Sequence, residues 1–387
     1  MKVTDLQAYL LSSPLARPIE EKSALGAITL TKIDVLLLRV QASNGLIGYA
    51  LGPASPNLAQ LINRNLKSAV VNTDPTKFEV LKRKVFEKRP DFPGIRQAYG
   101  LIEIALLDLW GKAEGCPIFQ LLGASAVGNV PLIAKGGLRK NGEVARKEAE
   151  QLIGRGFCAY KLQLGMGPDT DLDTVIGVRE TLPEASELVI GAAAWWQGGG
   201  QAYPTDRMLP WLSDVAKYSR VRVDDLFPAQ DVSSYRDLAS RKLVRTGAGE
   251  QELMLPALLL LAQNCVIDVI LANMTLLGGI TETRQLVQKL STSGPPVVLT
   301  GGTTPCEVLA LAQLAASCPL EMIAAVEHPF FLDENAENNL FALGADVLKE
   351  ALVIENGSLV LPQASGLGIQ VNERVIERYP WKSGSFR

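Results

Sequence analysis

Residues 158–192, CAYKLQLGMGPDTDLDTVIGVRETLPEASELVIGA, decide how the rest of the chain is read. An apolar run (158–164) passes a Gly-Pro turn, enters a stretch of helical period (169–181) and ends in a second apolar run (188–192). Short apolar runs separated by one amphipathic helix are the pattern of parallel strands buried on both faces. Working outward, the same beat recurs at 130–134, 221–226, 243–247, 266–271, 297–300 and 322–326. Helical patterns fall between the runs at 142–155, 206–218, 234–241, 253–262, 280–290 and 306–315. Eight strands with seven intervening helices favour an α/β barrel of TIM type. A doubly wound open sheet competes, but no GxGxxG follows the first strand.

The first 125 residues do not share this beat. Residues 29–40 and 46–51 read as a strand pair turned at Asn44-Gly45, a dipeptide that tolerates the positive φ of a tight turn. Residues 12–26, rich in Ser, Pro and charge without period, read as a loop. Helical patterns follow at 75–86 and 95–115. The chain therefore divides into an α+β capping domain (1–125) and a barrel (126–354), with a tail (355–387) packing back towards the cap. The 38 basic and 41 acidic residues leave a net charge of -3 without long runs of one sign, which argues against a nucleic-acid partner. The longest apolar run, 257–262, is too short for a membrane span, and the start lacks the form of an export signal. The expectation is a cytoplasmic protein. Five widely spaced cysteines without a CxxC pair predict mostly buried, reduced thiols.

In such a barrel the carboxyl ends of the strands converge on one site. They supply Lys135, Lys161 with Gln163, Gly191 with Ala193, Asp224 with Asp225, Glu250, Asn273, Thr300 with Gly301, and Glu327 with His328. A lysine facing carboxylates across a barrel suits removal of a proton next to a carboxylate. The lysine serves as base if its neighbours lower its pKa, and a hard divalent cation held by the acids stabilises the enediolate. Lys161, as base or as electrostatic stabiliser, and Asp224 and Glu250, as metal ligands, supply those parts. The stretch 189–200, VIGAAAWWQGGG, carries no ionisable group. Its Trp195 and Trp196 form either an apolar wall at the barrel mouth or packing under the cap. Its glycines read more readily as a turn or lid than as an anion cradle.

The segment IALLDLWGK (104–112) followed by Gly115-Cys116-Pro117 and Leu121-Leu122-Gly123, together with Gly249-Glu250, the turn Gly278-Gly279-Ile280-Thr281-Glu282 and the late Gly366-Leu367-Gly368-Ile369, resembles the mandelate racemase and muconate lactonizing branch of the enolase superfamily. The resemblance runs from Val3 to about Tyr379. It implies a modified (β/α)7β barrel under an N-terminal α+β capping domain, with a small carboxylate substrate held between them. It also implies Mg2+, homo-oligomerisation, and isomerase, racemase or acid-sugar dehydratase chemistry.

The family's working residues carry over only in part. Its Lys-x-Lys appears as Lys161-Leu162-Gln163, so the second lysine, usually the proton-abstracting one, has become an amide, which cannot act as a base at neutral pH. Its first metal-ligating Asp is replaced by Gly191. Asp224 and Glu250 stand at the remaining metal positions, and Asp225 helps only if the strand end is bulged. Asn273 stands at the usual Asp of a His–Asp dyad, with Thr300-Gly301 in place of the His. Glu327 resembles an acid that contacts the substrate carboxylate, while the lone His328 reads as packing. In the cap, Gly48-Tyr49-Ala50-Leu51 has lost the family's acid, and Glu103 stands for its usual helix Asp. The expected site is therefore Lys161, Gln163, Asn273 and Glu327, with Asp224 and Glu250 holding Mg2+ incompletely. The alternative is a catalytically altered or non-enzymatic ligand-binding member.

Overall fold

The structure, a computed structural model, describes every residue except 24–25, 87–92, 125–127, 137–141, 198–204, 265–266, 291–293, 330–345, 351 and 384–387. An antiparallel sheet comes first: β1 (Val3–Ser23), β2 (Gly26–Ala42) and β3 (Ile47–Pro53), in that spatial order. Gly45 adopts φ +83° in the turn between β2 and β3. The loop expected over 12–26 is instead the outer half of a long hairpin, in which Ser12 pairs with Asp34 and Ser23 with Gly26. Its prolines mislead because the register shifts between Pro14 and Ile19. A bulge absorbs residues that cannot join the ladder, and alternation in AITLTKI on the partner strand keeps the rest paired.

Eight parallel strands follow: β4 (Val130–Lys135), β5 (Ala159–Gln163), β6 (Glu187–Gly191), β7 (Val221–Asp224), β8 (Arg245–Ala248), β9 (Val269–Asn273), β10 (Val297–Thr300) and β11 (Ile323–Pro329). They neighbour one another in sequence order, and β11 pairs back onto β4, which closes the barrel. Helices Gly142–Gly154, Pro168–Thr181, Thr205–Val215, Val232–Arg241, Leu255–Gln263, Ile280–Leu290 and Pro305–Ala316 occupy the intervals. The last is buried along its whole length and starts with a capping box between Thr304 and Glu307. The tail adds a hairpin, β12 (Ile354–Glu355) and β13 (Ser358–Leu359), onto β4. It then returns to the cap, where Glu373 accepts from Arg39 Nε at 2.7 Å and from the Tyr49 hydroxyl at 2.6 Å.

Inside the barrel, Ile133, Ala159, Val269, Leu271, Val298 and Ala325 form a separate apolar cluster. Side chains two residues apart on a strand share a face. The next inward residues towards the carboxyl ends are therefore Lys135, Lys161, Asn273, Thr300 and Glu327. An apolar plug thus supports a polar layer at the mouth.

The long helix Pro93–Glu114 joins cap to barrel. Asp108 accepts from Tyr49 N, Leu367 N and Lys112 Nζ at 2.9, 2.9 and 2.6 Å, binding the cap sheet, the tail and its own helix together. Glu103 accepts from Thr281 N at 3.0 Å and from the Thr281 hydroxyl, so it anchors the start of helix Ile280–Leu290. Gly48 is needed for contact: a Cβ there would lie 2.1 Å from the Ala105 carbonyl oxygen. Of the described cysteines, Cys306 and Cys318 are buried, whereas Cys158 is exposed, contrary to the general expectation of burial. Among the described residues, no helix is long and apolar enough to cross a membrane.

Candidate active site at the barrel mouth

The polar layer is an ion-pair lattice. The Lys161 ammonium, 1% exposed, lies 3.3 Å from Asp224 Oδ2, 3.2 Å from Glu250 Oε2 and 2.5 Å from Glu327 Oε1. Lys135 reaches Glu250 Oε1 at 3.1 Å and Glu327 Oε2 at 3.3 Å. On the far side, Arg222 forks both oxygens of Asp224, at 2.8 and 3.4 Å, and extends to Glu187 at 3.1 Å. Five strands and the loop after β8 thus contribute three basic and four acidic side chains to one cluster, with Glu187 of β6 at its far end behind Arg222. Lys135 retains 26% side-chain exposure, which makes it the cation of this set most open to a ligand.

The protonation states follow from this packing. Burial alone would lower the pKa of Lys161, but Glu250, Glu327 and Asp224 together raise it well above the ordinary lysine value. Burial would raise Glu250, yet Lys135 and Lys161 hold it down to about 2. Asp224 is likewise kept below the ordinary range, against burial, by Arg222 and Lys161. Asp225 behaves differently: burial, then Glu250, pushes it up to about 7. Its backbone takes a left-handed φ of +50° and its carboxylate accepts from Gly249 N at 2.9 Å.

Gly191 and Gln163 are partners in register on adjacent strands. A Cβ on Gly191 would lie 2.8 Å from Gln163 Oε1, so the amide occupies the space over the glycine. Gln163 Nε2 and the Thr300 hydroxyl are buried without a hydrogen-bond partner among the described residues, the condition of groups awaiting a ligand or water.

These residues do not fit a divalent ion. Every carboxylate at the inner face is already neutralised by a lysine or arginine, and a neutral amide covers the strand end where a further ligand would project. Two charges, +2 and +1, about 4 Å apart repel by roughly 8 kcal/mol at an effective dielectric of about 20. Magnesium also requires several converging oxygens in octahedral order. Among the described residues, no group of three or more His, Cys, Asp or Glu side chains is placed to hold a metal.

Residues 144–375 match the model of the enolase C-terminal domain-like family, and residues 9–123 match the N-terminal domain of mandelate racemase / muconate lactonizing enzyme. The chain belongs to the mandelate racemase and muconate lactonizing branch of the enolase superfamily. It is 22% identical to D-galactarolactone cycloisomerase of Agrobacterium fabrum, over 98% of this chain and 99% of that one. It is 24% identical to the L-Lys-D/L-Arg epimerase of Methylococcus capsulatus, over 95% and 99%. Its fold superposes on the crystal structure of 2-chloromuconate cycloisomerase from Rhodococcus opacus 1CP with a TM-score of 0.82, at 19% identity over 99% of this chain and 100% of that one.

Within that family's scaffold, several expected residues take other tasks. Lys161, expected as base or electrostatic stabiliser, touches three carboxylates that raise its pKa well above the ordinary lysine value, which favours the stabiliser over the base. Asp224 and Glu250, expected as metal ligands, are held by Arg222, Lys161 and Lys135. Asn273 caps the short helix Met274–Leu277, its side chain accepting from Leu276 N at 3.2 Å. His328 is 6% exposed, next to inward-facing Glu327 on β11, and burial, then Arg155, lowers its pKa to about 3. Trp195 packs edge-on against Trp211, at 4.6 Å between centroids, on the barrel's own helix. Trp196 donates to the Asp225 carbonyl at 2.8 Å. The triple glycine 198–200 lies outside the described residues.

Arg222 was missed from sequence, although strand period places it on the same face as Asp224 two residues later. Lys135 was visible as a strand end, but only the structure gives it two acid partners.

Proposed function

We propose that the protein is an enzyme of the mandelate racemase and muconate lactonizing type, an isomerase or lyase acting at the carbon next to the carboxylate of a small substrate. The observation that carries this reading is the convergence of Lys161, Lys135, Glu250 and Glu327 at the carboxyl ends of the barrel strands, where this architecture places its chemistry. In this reading Lys135 meets the substrate carboxylate, and the fixed ammonium of Lys161 favours the negative charge that develops as the proton leaves. The unpartnered Gln163 amide donates to the substrate. Asp225, with its pKa near 7, is matched to accepting a proton at neutral pH, unlike Glu250. The A. fabrum, M. capsulatus and R. opacus relatives, named as cycloisomerases and an epimerase, support the class without identifying the substrate.

The test is proton exchange with solvent. Sugar acids, amino-acid derivatives and dipeptides are incubated with the protein in D2O and followed by proton NMR. Loss of the signal next to the carboxylate, or formation of an isomer or dehydrated product, is expected for one class. No exchange across the panel refutes the enzyme reading. A second reading, a ligand-binding member without turnover, is favoured by the pairing of Asp224, Glu250 and Glu327 with lysine or arginine. It predicts that carboxylates raise the melting temperature without exchanging protons.

A further inference from the structure

The geometry points to an internal cation in place of a metal: the Lys161 ammonium is the resident positive charge among Asp224, Glu250 and Glu327, and the barrel mouth binds its carboxylate ligand without a divalent ion. The inference rests on the reading of the barrel mouth as the working site, and on nothing about the reaction.

Three observations carry it. First, Lys161 Nζ contacts carboxylates from β7, β11 and the loop after β8 within 3.3 Å. It sits where those acids converge, within 3.3 Å of all three. Second, Arg222 engages both oxygens of Asp224 from the other side. That carboxylate is therefore already paired from the side away from Lys161. Third, Gln163 lies over Gly191. The strand between β5 and β7 contributes no oxygen at the mouth, and its space is filled by an amide. Lys135, Lys161, Arg222 and Arg245 balance Asp224, Glu250, Glu327 and Glu187 charge for charge. A divalent ion would add two uncompensated charges, whereas a monocarboxylate adds one and places it at the exposed part of Lys135.

Metal binding tests this without turnover. The protein, purified without chelator, is assayed for bound metal by elemental analysis. Mn2+ is then titrated in with the electron paramagnetic resonance of the free ion as readout, and melting temperature is recorded with Mn2+ or EDTA. The intact protein is expected to carry no stoichiometric divalent ion, to leave the Mn2+ signal undiminished and to melt at one temperature throughout. Lys161→Gln vacates the seat and is expected to take up Mn2+, with a rise in melting temperature on its addition. One equivalent of metal on the intact protein, with a lower melting temperature after EDTA, overturns the proposal, as does a folded Lys161→Gln protein that takes up no Mn2+. If that variant does not fold, the intact protein still decides. A negative result in D2O would leave this inference standing, and stoichiometric metal would leave the enzyme reading standing.

Discussion

Replacing Lys161 with Met measures how much the lattice contributes to stability. Methionine keeps an unbranched apolar stem of similar length, so the change removes charge more than packing. Losing one partner of a buried ion pair costs about 3–5 kcal/mol, because the other charge is left behind. Here none of the three acids is fully abandoned: Asp224 keeps Arg222 at 2.8 Å, and Glu250 and Glu327 keep Lys135 at 3.1 and 3.3 Å. The expected loss is therefore at the low end, about 3 kcal/mol near pH 7. Glu250 carries part of this loss: it is held at about 2 against an ordinary 4.5, roughly 3 kcal/mol from Lys135 and Lys161 together, of which the variant loses only the Lys161 share. The sign fixes the pH dependence. A depressed carboxylate adds stability that is present above its unfolded pKa and lost as pH falls through its folded pKa. Parent and variant should therefore differ most near neutrality and converge between about pH 4.5 and 2, as the parent loses what the variant never had. Urea unfolding followed by tryptophan fluorescence at several pH values gives the gap directly. A variant within about 0.5 kcal/mol of the parent at pH 7, or a gap that does not narrow on acidification, refutes the reasoning.

Gly48→Ala should cost about 3 kcal/mol in urea unfolding, because its Cβ would strike the Ala105 carbonyl, whereas Gly191→Ala should cost less than about 1 kcal/mol, because only the end of Gln163 must move. Trp196→Phe, losing the bond to the Asp225 carbonyl, should destabilise by about 1 kcal/mol in the same assay. Glu307 is raised by burial to about 7 despite hydrogen bonds from Thr303 and Thr304. Its folded state keeps a proton that the unfolded chain releases, so it lowers the parent's stability as pH rises from about 4.5 to 7. Glu307→Gln, which still accepts those bonds, should gain about 3 kcal/mol on the parent across that window, measured by urea unfolding at pH 4.5 and 8.

The barrel was legible in the sequence because strands buried on both faces and helices buried on one impose different periods. The apolar run expected at 158–164 contains β5, and that at 297–300 coincides with β10. The hairpin over 12–26 was not legible, because a strand pair that tolerates proline at a register shift has no clean period of its own. The cap helix pattern was visible, but the tasks of Glu103 and Asp108 were not. Each is a buried acid whose partners lie far along the chain, at Thr281 and Leu367.

The site was legible as a set of residues but not as a state of charge. Strand ends could be read from sequence, and period two selects their inward side chains. Whether Lys161 is a base or a fixed cation depends on how many carboxylates reach its nitrogen, and barrel closure decides that by bringing β5, β7 and β11 to one point. With one acid neighbour and deep burial, desolvation would dominate and the amine would titrate low. With three within 3.3 Å the opposite term wins. The same closure turns Gly191 from a missing acid into half of a pair, since Gln163 in the adjacent register fills the space it leaves. In the proposed reading the proton acceptor is an acid the lysines do not hold, and Asp225, whose carboxylate accepts from Gly249 N, is the one that burial and Glu250 push up to about 7.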